Sequence, residues 1–580
     1  MWRTMRSGIL NLFGIGVLLL FGACRNDSNK SSQSEEKEPT APLPAQRLIL
    51  ATQSEPDTLH PLFSEIAVSS SIRMLGQREL TLYNPSWELV PDLATQVPSQ
   101  SNGRVRLIPR EDRPDAPPRM EVSWTLRADA TWEDGVPVTA DDFVLAWEIQ
   151  MDPEQEVIHR STAERIERME VRGEDRKTLV VLWKEPYAFF ADYQVHRALP
   201  AHRLRQDYQR SDGTRASMKL HPYGRAPLAN GPFRFAEWQP GQFLRFVRNE
   251  KHVPRARLDE VIVRIIPNQS AMHSALLAGD IDGVLATGGF SAARAMELTK
   301  NKPERFQAHW APGLVWAHID FNLDDPILRD ARVRRALAMA IDRKTLIATL
   351  FGNHYEVADS FLPPRHWGYA ATLPKIEYDV SEAEKLLASA GYHAAAPGGL
   401  RKNEAGEPLR LSISAVAGIA DIERLEEVLQ SDLRKIGVEL RIENRPAKVF
   451  FGEWARKRRF PHLSFYSWVM SPSSWGNTLW QSDMIPSQAN GWQGKNYPAW
   501  RDAEVTEILR ALPAELDLAK RKDMMKRVQH RYLEVLPAIP MYFRPVVAVA
   551  RRGVGGWAPT GTLTPLSWNA KDWHLSDSAP

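Results

Sequence analysis

A single cysteine in 580 residues leaves no internal disulfide framework and no thiolate cluster for a structural metal. Charge of one sign is scarce as well. The formal net charge of +3 is too small, for this length, to suggest a nucleic-acid partner. Common catalytic motifs are also missing. Among 15 histidines no pair has the i,i+4 spacing of a zinc helix, and the nearest neighbours, His196 and His202, are too far apart for one helix face. No GxSxG elbow marks a nucleophilic serine, and no Walker A loop marks a phosphate site. Gly553-Val554-Gly555-Gly556-Trp557-Ala558 fits a loose dinucleotide pattern, but Pro559 and Gly561 stand where a helix should start, so a turn is expected. The adjacent acids Asp141-Asp142 and Asp324-Asp325 read as solvated cap or loop residues. No catalytic residue, metal or cofactor is expected.

Long apolar runs are nearly absent. One stretch, Ile9 to Phe21, follows Arg3 and Arg6 and is broken only by Asn11. At about 13 residues it is too short to span a bilayer and has the pattern of a signal-peptide core. Phe21-Gly22-Ala23-Cys24 behind it resembles the lipobox of bacterial lipoproteins, which would make Cys24 the lipidation site. Residues 1–23 are thus expected to be a lipoprotein signal peptide. Residues 24–45, rich in Ser, Lys, Glu and Pro, are expected to form a disordered tether reaching at most roughly 70 Å. The expected product is a periplasmic or cell-envelope protein, lipid-anchored to a membrane. Arg25 after the anchor leaves open which membrane face carries it.

What remains is ordinary globular matter, 43% hydrophobic and 25% charged, and long enough for two or three lobes. Arg47 to Ala51, Val122 to Arg127, Gln242 to Arg248 and Val261 to Ile266 read as strands. Ser101 to Pro118 reads as a surface excursion. Thr139 caps a helix through Trp147, with Asp142 in the capping-box position. Asp330 caps another, with Val333, Leu337, Ile341 and Ile347 as one stripe. Asp379 to Ala390 stops at Gly391, and the stripe from Ile422 to Ile436 ends at Gly437 before the strand Val438, Leu440, Ile442. Arg456-Lys457-Arg458-Arg459 reads as a solvated helix face. Interleaved helices and short strands argue for α/β lobes.

From about Gln46 to Leu575 the chain resembles the family 5 extracellular solute-binding proteins, the peptide receptors of ABC importers. The resemblance rests on blocks in the family's order: Glu55-Pro56-Asp57-Thr58-Leu59-His60-Pro61, with His60 where Asp is usual; Leu89 to Ala94; Trp124 to Arg127; Trp132-Glu133-Asp134-Gly135; and Pro137 to Phe143. Asn230 to Phe233, Ala278 to Asp282, Arg332 to Leu337, Tyr378-Asp379, Ala390 to Tyr392 and Leu536 to Pro540 continue it. The resemblance implies a periplasmic-binding-protein-like α/β fold of the three-domain type, with two lobes and a hinge. Domain I would comprise 46–86, 222–310 and 541–580, domain II 87–221, and domain III, the second lobe, 311–540.

It further implies a non-enzymatic, monomeric receptor that closes on a peptide and delivers it to ABC permease subunits. A nickel chelate, heme, an oligosaccharide or an opine is the alternative ligand, and an enzyme or chaperone-like surface lipoprotein the more distant one. In the family a Trp is followed three residues later by an Asp that pairs with the peptide's amino group. Here Trp468 matches and Ser471 takes the place of the Asp, so Glu55 or Asp483 would have to supply the charge, or the ligand lacks a free amino terminus there. Tyr466 and Trp475, with Trp480, give the stretch an aromatic density suited to a pocket wall or to packing between lobes. Arg456 falls where relatives place an arginine near the ligand and would suit a carboxylate. Glu55 is the last candidate contact.

Overall fold

Leu48 and Leu50 alternate along the strand Arg47–Thr52 and are fully buried, which fixes its register between two parallel neighbours, Glu260–Ile265 and Gly283–Val284. The computed structural model describes residues 46–64, 66–192, 194–209, 213–396, 399–473 and 475–576. The expected signal peptide, Cys24 and tether lie outside the described residues. Beyond Glu260–Ile265 the antiparallel strands Phe243–Arg248 and Phe233–Gln239 extend one side of the sheet. Beyond Gly283–Val284 come the long strands Ala538–Arg551 and Phe306–Phe321, then Leu463–Val469, Arg410–Ser414 and Glu439–Ile442. Glu356–Val357 pairs onto Ala538–Arg551 and completes an 11-stranded sheet. A separate four-stranded antiparallel sheet takes Val105–Ile108, Arg119–Thr125, Thr178–Trp183 and Ile166–Arg172.

The large sheet divides where its two longest strands are interrupted. Their ladder runs from Phe306 opposite Arg551 to Ala311 opposite Val546, breaks, and resumes at Val315 opposite Arg544. Pro312 and Pro545 sit in the break and have no N–H to donate. Gly313 lets the backbones approach: a Cβ there would lie 2.1 Å from the carbonyl oxygen of Arg544. Gly561, at φ +73°, closes from the other side, where a Cβ would stand 1.7 Å from the carbonyl oxygen of Pro312. Phe306, Val547 and Val549 belong to a core on one side of the crossing, and Leu314, Trp316 and Tyr542 to another core beyond it. The molecule therefore has two α/β lobes joined by a pair of strands.

Several local expectations hold. The helix Ala140–Met151 starts with the Thr139–Asp142 capping box, although Asp142 is buried rather than solvated because it also accepts from Trp132 Nε1 and the Ala201 amide. Gly135, Gly391 and Gly437 all take positive φ, and Trp124, Leu126, Phe143 and Val333 are buried. Val554–Gly555 forms a two-residue strand with His574–Leu575, with no helix behind it.

Others are corrected. The single helix expected from Asp330 is two, Ala331–Met339 and Arg343–Phe351, because the Asp342 side chain accepts from the Thr345 amide and starts a second helix. The surface excursion contains the strand Val105–Ile108, paired on Arg119–Val122, whose Val105 alone is buried. Arg456 to Arg459 lie not on a helix face but in the turn that ends the π-helical segment Phe450–Ala455. Arg458 there adopts φ +53° and pairs with Asp324 at 2.6 Å.

His60, His196 and His318 are fully buried, and burial pushes each pKa down to about 3. At His60, Nδ1 accepts from the Leu62 amide at 3.2 Å, which a neutral ring can do. Unfolded, the ring titrates near 6.5, so between about pH 3 and 6.5 the unfolded chain binds the extra proton and the stability contributed by neutral His60 is lost as pH falls. In urea titrations His60→Gln should therefore gain on the wild type by on the order of 1–2 kcal/mol between about pH 7 and pH 5. A pH-independent difference would contradict the buried neutral ring.

Candidate functional site

Opposed residues of antiparallel strands share a face, and the pairing of Val315–Phe321 with Leu463–Val469 sets Trp316 opposite Trp468, His318 opposite Tyr466 and Asp320 opposite Ser464. Trp316 stacks on His318 with centroids 3.9 Å apart and meets Trp480 edge-on at 6.0 Å. Phe361, Trp500 and Tyr532 pack around Trp480, which is 2% exposed. Trp480 is thus core beneath the site. Trp468, near the strand's end, is only half-buried.

Beneath Trp468 lies a buried polar chain. The Tyr466 hydroxyl donates to Asp320 Oδ2, and Asp320 Oδ1 faces His318 Nε2 at 3.3 Å. His318 Nδ1 lies 3.4 Å from the carbonyl oxygen of Trp316. Burial raises the Asp320 pKa to about 8 and lowers that of His318 to about 3. Near neutral pH burial favours the uncharged form of both groups. The chain fixes Tyr466 without presenting a negative charge.

Above it, Trp468 meets Tyr466 at 5.5 Å and 87°, and Tyr497 at 5.6 Å and 54°. The Lys495 ammonium stands 4.8 Å from the centre of the Trp468 ring. Arg456 is exposed, its Nε donating to the Trp492 carbonyl at 3.3 Å, and its charge is felt at the Tyr497 hydroxyl. Ser471 follows the strand and exchanges a hydrogen bond with Ser473 at 3.0 Å. Neither acid considered as a substitute for the missing Asp is idle. Glu55 accepts from Trp238 Nε1 at 2.7 Å and from the Gly241 amide at 3.2 Å, which ties it to the hairpin Phe233–Arg248. Asp483 pairs with Arg510 at 2.7 Å. Among the described residues no group of three His, Cys, Asp or Glu could hold a metal ion.

Trp475 does something different. Its ring stacks on Phe189 at 4.6 Å and 3°, and its Nε1 donates to the Leu509 carbonyl at 3.2 Å. The Arg521 guanidinium lies 5.9 Å from the Phe189 ring and 5.6 Å from that of Trp367. Ala188 donates to the Pro513 carbonyl at 2.7 Å, and Arg365 to that of Pro85 at 3.3 Å. These contacts bridge segments that follow and precede the strand crossing.

Tyr466 and Trp468 come together as one wall, with Arg456 nearby. Trp475 and Glu55 serve other contacts. Sequence reasoning missed Phe189, His318, Asp320, Lys495 and Tyr497. The alternation Trp316-x-His318-x-Asp320 is a visible signal, but Tyr466, which gives it meaning, lies 146 positions from Asp320.

Removing the hydroxyl of Tyr466 strands a buried acceptor, so Tyr466→Phe should cost about 1–3 kcal/mol in denaturant unfolding. The folded pKa of Asp320 is raised above its unfolded value of 3.8, so its contribution is complete below about 4 and lost as pH rises toward 8. Asp320→Asn removes that titration, and its stability relative to wild type should rise from about pH 5 to pH 8. A flat difference would contradict the neutral carboxyl.

Residues 88–490 match the family model described as bacterial extracellular solute-binding proteins, family 5 middle. The oligopeptide-binding protein AppA of Bacillus subtilis is 22% identical over 554 residues, 93% of each chain. Among solved structures, the oligopeptide-binding protein of Thermus thermophilus complexed with a pentapeptide is 25% identical, covers 91% of this chain and 96% of its own, and has a TM-score of 0.65. NikZ of Campylobacter jejuni, in complex with Ni(L-His), is 23% identical, with coverage of 92% and 100% and a TM-score of 0.68. The fold is the periplasmic-binding-protein type that the sequence motifs implied. With a family match over most of its length, lobes joined at a strand crossing and an aromatic wall beyond it, the chain belongs to the family 5 bacterial extracellular solute-binding proteins.

Proposed function

We propose that this protein captures a small solute, a peptide in the first instance, between its two lobes and delivers it unaltered to the permease of an ABC importer. The observation that carries the reading is the crossing at Pro312–Leu314 and Pro545, where a sheet that would otherwise be continuous gives up its ladder. A break in two paired strands concentrates bending at a few dihedrals. Trp468 lies beyond that crossing, so rotation would carry its wall relative to the opposite lobe. Ligand contacts made only when the lobes meet would shift the population toward the closed form.

A peptide ligand is supported by the likeness to AppA along 93% of both chains and to the Thermus thermophilus receptor. Residues 46–86, 222–310 and 541–580 would form domain I, 87–221 domain II, and 311–540 the second lobe. The lipid on Cys24 would hold the receptor at a membrane surface, and a monomer suffices for the mechanism. A second reading, a ligand without a free amino terminus, is favoured by the wall itself. Ser471 offers no charge, Asp320 is neutral, and Glu55 and Asp483 are occupied.

Mass spectrometry of the molecule co-purified with native protein should find an intact small solute, and Trp468→Ala should bind it at least about tenfold more weakly with little change in melting. Unchanged affinity would remove Trp468 from the site, and a cleaved guest would defeat the receptor reading. X-ray scattering should show Phe189→Ala with a larger radius of gyration than wild type, because it lacks the stack on Trp475.

A further inference from the structure

Beside the crossing, the second lobe reaches back to the first through a short loop. The helix Arg343–Phe351 stops at Gly352, whose φ of +70° and ψ of −177° suit glycine and strain any other residue. A Cβ there would stand 3.0 Å from Met296 Sδ on the helix Ala292–Asn301, so the loop backbone is seated closely against the first lobe. Two residues on, the exposed His354 ring lies on the Trp310 ring, with centroids 3.8 Å apart and planes 3° from parallel. Tyr355 then returns to its own lobe. It stacks on Phe351 at 4.8 Å and meets Tyr542 at 5.4 Å, and Glu356–Val357 joins the sheet opposite Phe543 and Tyr542.

The two anchors of this loop flank the break in the long strands. Trp310 pairs with Val547 just before Pro312 and packs against the core that holds Phe306 and Val549. Phe351 and Tyr542 belong to the other core. The loop therefore spans the stretch where the ladder is interrupted. Two strands without their ladder can bend, but they can also tilt and twist. A flat stack resists these motions unequally. Turning one ring over the other about their common normal keeps the faces in contact, whereas tilting pries them apart and forfeits the contacts between them. His354 is exposed and belongs to neither core, so filling the interior is not what its ring does.

We propose that residues 352–355 are a strap across the crossing: with His354 lying flat on Trp310, they guide the lobes through one rotation, in the plane of the two rings, and resist tilting. The proposal rests on the two-lobe reading above and adds to it a guide built from the protein's own side chains. The ring of His354 is then a positioning group that acts on the lobes through Trp310.

Distances between spin labels on the two lobes test it. The labels go on Ser274→Cys, in the helix Gln269–Ala278, and Lys385→Cys, in the helix Val380–Ser389, both exposed, with Cys24→Ser removing the native thiol. In guest-stripped protein His354→Ala should widen the distance distribution by at least about 1.5-fold. His354→Phe, which keeps a flat ring, should hold the wild-type width, and so should Asn353→Ala beside it. All three should melt with wild type, because both side chains are exposed. A wild-type width in His354→Ala overturns the strap, as does equal widening in His354→Phe or Asn353→Ala. The two readings fail separately. If wild-type protein gives one distance with its co-purified guest and without it, closure falls, and the His354→Ala width still judges the strap. If that distance shifts with the guest while His354→Ala keeps the wild-type width, only the strap falls.

Discussion

The organisation of this molecule depends on one interruption in one pair of strands. Phe306–Phe321 and Ala538–Arg551 are hydrogen-bonded on both sides of the break, so each half belongs firmly to its own lobe. Between the halves two prolines withdraw donors, and Gly313 and Gly561 allow backbone approaches that no side chain would permit. Phe306, Val547 and Val549 pack into a core on one side of this crossing, whereas Leu314 and Trp316 belong to a larger core that also takes in Trp124, Trp183 and Phe189. Adding even a methyl group at Gly313 would set a steric wedge in the two strands that, among the described residues, serve both halves of the large sheet.

The wall at Trp468 inherits its position from that pairing. His318 and Asp320 stand on the strand that leaves the crossing, and Tyr466 and Trp468 on the strand hydrogen-bonded to it. Their register is therefore tied to the hinge by a short run of extended chain that starts at Val315. The neutral Asp320–His318 couple holds Tyr466 rigidly, and Tyr466 backs Trp468 edge-on. A charged couple in this place would carry a heavy desolvation cost and would impose a sign on the cleft. A neutral one leaves the sign to residues at the rim.

How much of this was legible in the sequence follows from the range of the interactions concerned. The Thr139–Asp142 box, the stop at Gly437 and the burial of Trp124 and Phe143 depend on neighbours a few residues away, and the sequence carried them. The break at Asp342 was hidden because the apolar stripe continues through it, although the aspartate is a cap signal. The Arg456 to Arg459 turn was hidden because a π-helical segment precedes it, which shifts the side-chain period. At the site, the family motif marked Trp468, and the aromatic count marked Trp475 without distinguishing a pocket wall from a stack on Phe189. Lys495 and Tyr497 had no local signal: they reach Trp468 through a loop whose path is set by contacts such as the Asn496 side chain on the Gln481 and Trp500 carbonyls.

The stack of Phe189 on Trp475 is a contact between the protein's own side chains on segments before and after the crossing. Whatever free energy it adds to closure is added equally for every molecule that fits, so it raises all affinities by one common factor and leaves their ratios untouched. On the proposed receptor reading this would divide the labour: the aromatic clasp would set how strongly closure is favoured in general, and selectivity would fall to the rim groups. On that reading a receptor built this way could change the solute it takes by changing rim residues alone.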